Sequence, residues 1–153
     1  MDAQPRSLKV LIVDDEPVNR MVLARMVEHL GSQCIEAASG AEALDLLRQQ
    51  QVDLVLMDIQ MPRMSGIEAV ELLRSDPGPN RDAPVVAVTG DTTRSRREYL
   101  QLGFDDYANK PISLASVGQM LNARRQAPRA NAQHEAFAAS LRALASGRTS
   151  PQR

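Results

Sequence analysis

Residues 52–57 read VDLVLM, an almost entirely apolar run that ends directly before an acidic residue, Asp58. A short apolar run of this kind is typical of a strand that is buried on both faces of a parallel sheet. Similar runs at residues 8–13 (LKVLIV) and 84–88 (PVVAV) predict two more strands. Segments at residues 33–38 and 106–108 complete a predicted set of five.

Segments with helical periodicity separate these runs, and we predict helices at residues 18–30, 40–50, 65–75, 92–102 and 113–125. Gly31 and Gly103 are expected to end the first and the fourth. Ser39 is a predicted N-cap, with Glu42 as its capping-box partner. Two helices have a predicted apolar face, formed by Val18, Val22, Met26 and Leu30 in the first and by Leu114, Val117 and Leu121 in the last.

Strands that alternate with helices predict an α/β fold, in which helices cover both faces of a parallel sheet. Hydrophobic residues make up 43% of the chain but aromatic residues only 3%, so the core must be aliphatic. The lone cysteine, Cys34, is interpreted as a small core residue. No apolar run is long enough to span a membrane and no signal peptide is apparent, so a cytoplasmic protein is expected.

Charge divides the chain into two parts. Residues 1–123 have a net charge of −6 and residues 124–153 a net charge of +5. We assign residues 7–125 to one domain and residues 126–153 to a basic tail, which is too short to build a core of its own. The tail is predicted to contain a short helix with an apolar stripe of Phe137, Leu141 and Leu144, which either packs on a protein surface or belongs to a flexible extension.

Polar residues follow the predicted strands at the points where each strand ends: Asp14 and Asp15 after the first, Asp58 after the third, Thr89 after the fourth and Lys110 after the fifth. The carboxyl ends of parallel strands meet at one edge of a sheet, where α/β proteins bind their ligands. Carboxylates placed together repel one another unless a cation is present. The sequence therefore predicts a divalent cation, Mg²⁺ or Mn²⁺, held by carboxylate oxygens.

This set of groups suits phosphoryl transfer. A carboxylate can attack phosphorus to give an aspartyl phosphate. The cation and Lys110 would neutralise charge on the phosphoryl oxygens, and the Thr89 hydroxyl could donate a hydrogen bond to one of them.

Four stretches, VLIVDDEPVNR, LVLMDIQMPRMSGIEAVELLR, VVAVTGD and GFDDYANKPI, together resemble the receiver domain of two-component response regulators. The resemblance implies a flavodoxin-like, doubly wound (βα)5 fold with strand order 2-1-3-4-5. It also implies a role for each site residue: Asp58 as phosphoacceptor; Asp14, Asp15, Asp58 and the backbone carbonyl of Gln60 as metal ligands; Lys110 as phosphate contact; Thr89 and Tyr107 as the switch pair; and Pro111 after a cis peptide bond.

The same resemblance implies a signalling switch that is not an enzyme beyond its own phosphorylation and dephosphorylation. A histidine kinase or a histidine phosphotransfer protein is the expected phosphodonor. A downstream protein is expected on the surface formed by the fourth helix, fifth strand and fifth helix, with dimerisation on phosphorylation as a further expectation. No membrane or nucleic-acid partner is expected. The phrases MDIQMPRMSG and NKPI resemble receivers of hybrid kinases, so both a stand-alone regulator and a hybrid-kinase receiver stay open.

Two other functions fit the topology less well. A phosphatase of the haloacid-dehalogenase type needs a second aspartate two residues after the nucleophile, where this chain has Gln60. A nucleotide- or flavin-binding domain needs a phosphate-binding loop, typically rich in glycine, after the first strand. This chain has Asp-Asp-Glu-Pro there. Gly90, directly after Thr89, is expected to leave the site open to small phosphodonors.

Overall fold

A computed structural model of the chain describes residues 6–127, in which five strands alternate with five helices. The strands are β1 (Lys9–Val13), β2 (Gln33–Ala37), β3 (Leu54–Asp58), β4 (Val85–Thr89) and β5 (Asp106–Asn109). The helices are α1 (Pro17–His29), α2 (Gly40–Gln49), α3 (Gly66–Ser75), α4 (Arg96–Gln101) and α5 (Leu114–Gln126). The strands form one parallel sheet in the order β2-β1-β3-β4-β5, which confirms the predicted fold.

The sheet separates two aliphatic cores because successive strand residues point to opposite faces. In β1, Val10 and Ile12 pack with α1 and α5, whereas Leu11 and Val13 pack with α2, α3 and α4. The central strands β3 and β4 are buried along their whole length. Their carboxyl ends are therefore held rigidly from both sides.

The buried face of α1 differs from the prediction. The residues that it buries fully are Leu23, Ala24 and Val27. Of the predicted stripe, Met26 and Leu30 pack against the core only partly, and Val18 and Val22 are 64% and 43% exposed. Residues spaced by four drift about 40° around a helix at each step, so the stripe slants away from the sheet towards the N-terminal end. Met21, which is 46% exposed, joins Val18 and Val22 in an exposed apolar patch on α1.

Helix α4 is shorter than predicted. It begins after Ser95, whose hydroxyl accepts a hydrogen bond from the Glu98 N–H while the Glu98 carboxylate accepts one from the Ser95 N–H. The preceding residues form a turn instead, in which Asp91 Oδ1 accepts hydrogen bonds from the N–H and the hydroxyl of Thr93. The capping sequence Ser-Arg-Arg-Glu, which predicts this start, was not used in the sequence analysis.

Two smaller predictions were also wrong. Leu114 is 41% exposed because it is the first residue of α5, although Val117 and Leu121 are buried as predicted. Ser39 caps α2, but Glu42 accepts a hydrogen bond from the Ala38 N–H and so does not complete a capping box.

Two arginines fix the end of α5 to the amino edge of the sheet, the edge at which the strands begin. Arg124 is 1% exposed and donates a hydrogen bond to the Asp53 carbonyl, directly before β3. Arg125 donates hydrogen bonds to the Arg6 carbonyl and to Ser32 Oγ. Gln126 is the last residue of α5, and Ala127 after it is 5% exposed and packs in the core between the sheet, α1 and α5.

The proposed tail helix with Phe137, Leu141 and Leu144 lies outside the described residues. Among residues 6–127, none of the helices has the length and apolar character needed to cross a membrane.

Candidate functional site

The residues singled out by their position after strands lie along one edge of the sheet, its carboxyl edge. Asp58 is the last residue of β3 and pairs in register with Val88 of β4. Thr89 follows Val88, and its carbonyl accepts a 2.8 Å hydrogen bond from the Lys110 N–H. Asp14 is joined to β2 by a hydrogen bond from its N–H to the Ala37 carbonyl. Parallel pairing thus places these residues in neighbouring positions.

Three carboxylates form a compact cluster at this edge. One carboxylate oxygen from each of Asp14, Asp15 and Asp58 lies within 4.8 Å of those from the other two. Asp14 and Asp58 are 1% and 3% exposed, while Asp15 is half-buried and reaches solvent. Two buried anions and one accessible anion make a strongly negative pocket, which calls for a compensating cation.

Lys110 supplies part of that compensation. Its Nζ lies 3.1 Å from Asp58 Oδ1, to which it donates a hydrogen bond, and 3.5 Å from Asp14 Oδ2. Burial alone lowers the pKa of the Lys110 ammonium, but the hydrogen bond and charge of Asp58, together with Asp14, raise it above its usual range. Lys110 is therefore a permanent cation at neutral pH.

Burial is also the main influence on Asp58. Loss of solvent raises the pKa of the Asp58 carboxyl, and the nearby Asp14 charge raises it further. The hydrogen bond from Lys110 and one from the Gln60 N–H oppose this rise. Asp58 is thus a desolvated carboxylate, and its charge depends on the cations around it.

Arg20 of α1 fixes the loop that bears the acidic pair, and the sequence analysis missed it. Its guanidinium donates a 2.6 Å hydrogen bond to the Asp14 carbonyl and pairs with Glu36 of β2 at 3.1 Å. The Asp14 carboxylate also accepts a 2.8 Å hydrogen bond from the Glu16 N–H. The signal was present in the stretch VLIVDDEPVNR, in which Arg20 lies one helical turn beyond Glu16.

Gly66 allows α3 to begin against the backbone of Asp58. Its N–H donates a 2.9 Å hydrogen bond to the Ile59 carbonyl. A Cβ at this position would overlap the Asp58 carbonyl oxygen and would lie 3.0 Å from Ile59 Cα. Ser65 and Glu68 cap the helix reciprocally. The segment that carries Asp58 is therefore held by a close backbone approach that only glycine permits.

Thr89 is 1% exposed and its hydroxyl is oriented by the loop that follows it. Thr89 Oγ1 accepts a 2.9 Å hydrogen bond from the Asp91 N–H, which leaves its own O–H available as a donor. Gly90 lies between them, and a Cβ there would meet nothing within 4 Å. The approach to the site is open at this point.

The other predicted residues lie near the cluster. Gln60 is exposed in the loop after β3. The Lys110–Pro111 peptide bond is cis. Tyr107 is half-buried on β5, and its ring stacks on that of Tyr99 from α4. Tyr99 is not among the residues predicted from the sequence.

A groove of about 540 Å³ extends from the acidic cluster along α1. Asp14 and Lys110 lie at one end, and the remaining lining is mainly apolar, from Val22, Leu23, Val88, Pro111 and Ile112. The exposed apolar patch on α1 therefore continues into the cluster.

The donor set fits a hard divalent cation. Mg²⁺ prefers oxygen ligands, one or two of them carboxylates, with water and phosphate oxygens completing its coordination. Asp15 is accessible and the buried Asp58 and Asp14 lie beside it, so the cluster offers such oxygens without a cysteine or histidine. Lys110 contacts Asp58 and Asp14, whereas Asp15 reaches solvent.

Comparison with known families agrees with this geometry. The family model for the response regulator receiver domain matches residues 10–122. The polar-differentiation response regulator DivK of Brucella ovis is 41% identical over 106 residues, which are 69% of this chain and 85% of that protein. The sensor protein GacS of Pseudomonas syringae is 36% identical over 119 residues, which are 76% of this chain. The chain spans only 13% of the length of GacS.

Two solved structures have a similar fold. One is the receiver domain of a sensor histidine kinase from Pseudomonas aeruginosa with a magnesium ion coordinated in its active-site cleft; it has 30% identity and a TM-score of 0.71, over 78% of this chain and 98% of that one. The other is the receiver domain of a Saccharomyces cerevisiae response regulator in complex with a histidine phosphotransfer protein, with 26% identity and a TM-score of 0.68, over 76% of this chain and 88% of that one.

Proposed function

Because the chain belongs to the response regulator receiver domain family, we propose that it is a phosphorylation-dependent switch that stores a phosphoryl group on Asp58. The observation that carries the proposal is the position of Asp58, which lies 3% exposed at a strand end, between the Lys110 ammonium and two further carboxylates. A buried carboxylate beside a permanent cation is suited to bear a phosphoryl group whose charge that cation offsets.

In the proposed reaction, a carboxylate oxygen of Asp58 attacks phosphorus in line with the donor bond. A P–O bond to Asp58 forms as the P–N bond to a phosphohistidine imidazole breaks, and the imidazole leaves with the bonding electron pair. Lys110 balances charge on the phosphoryl oxygens, and the Thr89 O–H donates a hydrogen bond to one of them.

Asp14, Asp15, Asp58 and the backbone carbonyl of Gln60 would hold Mg²⁺ or Mn²⁺ at the site. The bound cation would supply further charge neutralisation for the phosphoryl oxygens. The Arg20 guanidinium acts before any phosphorylation, since it fixes the Asp14 carbonyl and with it the loop that bears the acidic pair.

The proposed output is a change in the surface formed by α4, β5 and α5. If Thr89 turns towards the phosphoryl group, its hydrogen bond from the Asp91 N–H must be lost or rearranged. Tyr107 lies on the neighbouring strand and packs against the same core, so a shift at Thr89 is proposed to change the position of its ring. A downstream protein, or a second copy of the chain, would read that change.

We also propose that the phosphodonor docks over α1 and the groove beside it. A donor that delivers a phosphohistidine to Asp58 must cover the surface around the cluster, and the apolar part of that surface is the patch of Val18, Met21 and Val22. The solved complex of a receiver domain with a histidine phosphotransfer protein supports a donor of that class. We propose that this exchange takes place in the cytoplasm.

Storage is favoured over turnover. A phosphatase of the haloacid-dehalogenase type would need an acid or base two residues after Asp58, and the amide of Gln60 can neither give nor take a proton there.

Phosphorylation of Asp58 is tested with acetyl phosphate and Mg²⁺, with the modified fraction resolved on a phosphate-affinity gel. Asp58→Asn should abolish the shifted band, whereas Asp45→Asn, a change on the exposed face of α2, should leave it unchanged. A shifted band in the Asp58→Asn variant would overturn the assignment of the phosphoacceptor.

A further inference from the structure

Three of the four aromatic side chains of this protein meet at one place in an otherwise aliphatic fold. Tyr99 of α4, Phe104 before β5 and Tyr107 of β5 are in mutual contact through Tyr99. The Tyr99 ring lies edge-on to that of Phe104, with centroids 5.8 Å apart and an interplanar angle of 86°. It stacks on the ring of Tyr107, with centroids 5.1 Å apart and an angle of 20°.

The three rings differ in exposure. Tyr99 is fully buried and Phe104 is 1% exposed, whereas Tyr107 is half-buried. Tyr99 is thus held by the core on one side and presents its face to a ring that is only partly enclosed. Aromatic pairs in this geometry gain attraction beyond the area that they bury. Displacement of the Tyr107 ring from its present position would lose that attraction.

The Tyr99 hydroxyl is buried and has no hydrogen-bond partner within residues 6–127. A buried hydroxyl without a partner lowers stability, and a core position that needed only the ring would be better filled by phenylalanine. The stack therefore combines a favourable ring contact with an unfavourable polar group.

We propose that Tyr99 is a positioning residue of the switch, whose ring holds Tyr107 in place and so opposes phosphorylation of Asp58. The inference rests on the proposed function, in which Tyr107 moves in response to Thr89. Residues Ala87 and Thr89 of β4 pair with Tyr107 and Asn109 of β5, so the stacked ring lies two pairing steps from the strand end. Tyr99 acts on the site only through Tyr107.

The test measures the affinity for beryllofluoride, a phosphoryl mimic, in the presence of Mg²⁺. Binding is followed by the NMR shift of the Asp91 amide, which donates to Thr89 Oγ1. Tyr99→Leu removes the ring and should lower the half-saturating concentration by about three- to tenfold, the range expected for loss of one aromatic contact. In a Tyr107→Leu background the same change should have no effect, because the ring on which Tyr99 acts is absent.

Tyr99→Phe is the matched control, because it keeps the stack and removes only the hydroxyl. The chain has two tyrosines and no tryptophan, so tyrosine fluorescence in this variant reports Tyr107 alone. The emission should change as beryllofluoride binds. This measurement also stands if Tyr99→Leu does not fold.

Four results would go against the inference. Equal beryllofluoride affinity in the wild type and Tyr99→Leu would overturn the role of Tyr99. An equal change in both Tyr107 backgrounds, or unchanged Tyr107 emission in Tyr99→Phe, would show that Tyr99 acts on stability and not on the switch. Failure of the wild type to bind beryllofluoride at all would overturn the proposed function itself.

Discussion

Lys110 and Asp58 form a partly buried ion pair across the carboxyl edge of the sheet, with Nζ 3.1 Å from Oδ1. The same ammonium lies 3.5 Å from Asp14 Oδ2, so one lysine offsets two carboxylates. A divalent cation held by the same carboxylates would experience this ammonium as a competing positive charge.

Replacement of Lys110 by methionine should therefore tighten the binding of Mg²⁺. We expect a decrease in Kd of about three- to tenfold, which corresponds to roughly 1 kcal/mol for charges a few ångströms apart and partly hydrated. Isothermal titration calorimetry at pH 8, where the carboxylates are ionised, gives the constant. Lys110→Arg retains the charge and should bind as the wild type does. Weaker binding in Lys110→Met would contradict the proposed metal ligands.

The exposed apolar patch on α1 predicts that a substitution there will slow phosphotransfer from a protein donor but not from a small-molecule donor. Met21→Glu should slow phosphotransfer from a phosphorylated histidine phosphotransfer protein by tenfold or more (about 1.4 kcal/mol), because a charge is placed against an apolar partner surface. The rate with acetyl phosphate should be unchanged, since Met21 does not line the groove beside Asp58. Leu72→Glu is the control, because Leu72 is 49% exposed on α3, on the opposite face of the sheet. Equal loss with both donors would refute docking at α1.

Gly66 and Gly90 predict opposite outcomes for the same substitution. Gly66→Ala forces a methyl against the backbone of Asp58 and should lower the free energy of unfolding by about 1–3 kcal/mol. The methyl group of Gly90→Ala would meet open space. This change should alter the free energy of unfolding by less than about 1 kcal/mol, with a slight increase expected. Urea unfolding followed by far-UV circular dichroism measures both. A Gly66→Ala variant with an unchanged free energy of unfolding would show that α3 can move away from the site without loss of stability.

Asp105 predicts a pH dependence of stability. It is 1% exposed, and burial raises its pKa to about 7. The hydrogen bond from the Val85 N–H and the charge of Arg74 act in the opposite direction and lower the pKa. The folded state therefore binds a proton more tightly than the unfolded chain, whose carboxyl titrates near 4. The contribution of Asp105 to stability is complete below about pH 4 and is lost as pH rises through about 7.

Asp105→Asn should remove this pH-dependent contribution to the stability. As the pH rises from about 4.5 to 7.5, the free energy of unfolding of the wild type should fall relative to that of the variant, by a few kcal/mol at most. Denaturant titrations at several pH values give that difference directly. Parallel pH profiles for the two proteins would show that Asp105 is not protonated in the folded state.

The placement of the site was predictable from sequence because it depends on strand order alone. Asp58 and Thr89 each end an apolar run and Lys110 follows the short fifth strand, and parallel pairing brings such positions to one edge whatever the details of packing. Arg20 could have been added, because its spacing from Glu16 places it one turn into the helix that follows the acidic pair.

Other features depend on tertiary contacts that a local pattern does not contain. The apolar residues at the start of α1 fit a buried stripe, yet Val18 projects beyond the sheet and is exposed. Arg124 is almost fully buried, against the usual preference of arginine, because its guanidinium donates a hydrogen bond to the carbonyl of Asp53, a residue 71 positions away. The stack of Tyr99 on Tyr107 likewise joins two elements whose sequences give no sign of it.

The arginine contacts at the end of α5 determine how this unit can be combined with others. Arg125 joins the last turn of α5 to the Arg6 carbonyl, so the chain enters and leaves the domain side by side. Both connections are made at the edge of the sheet opposite to Asp58. Polypeptide joined at either point therefore starts at the edge of the sheet opposite to the Asp58 carboxylate. The same unit can therefore be inserted into chains of different architecture without obstruction of the surface on which phosphodonors are proposed to dock.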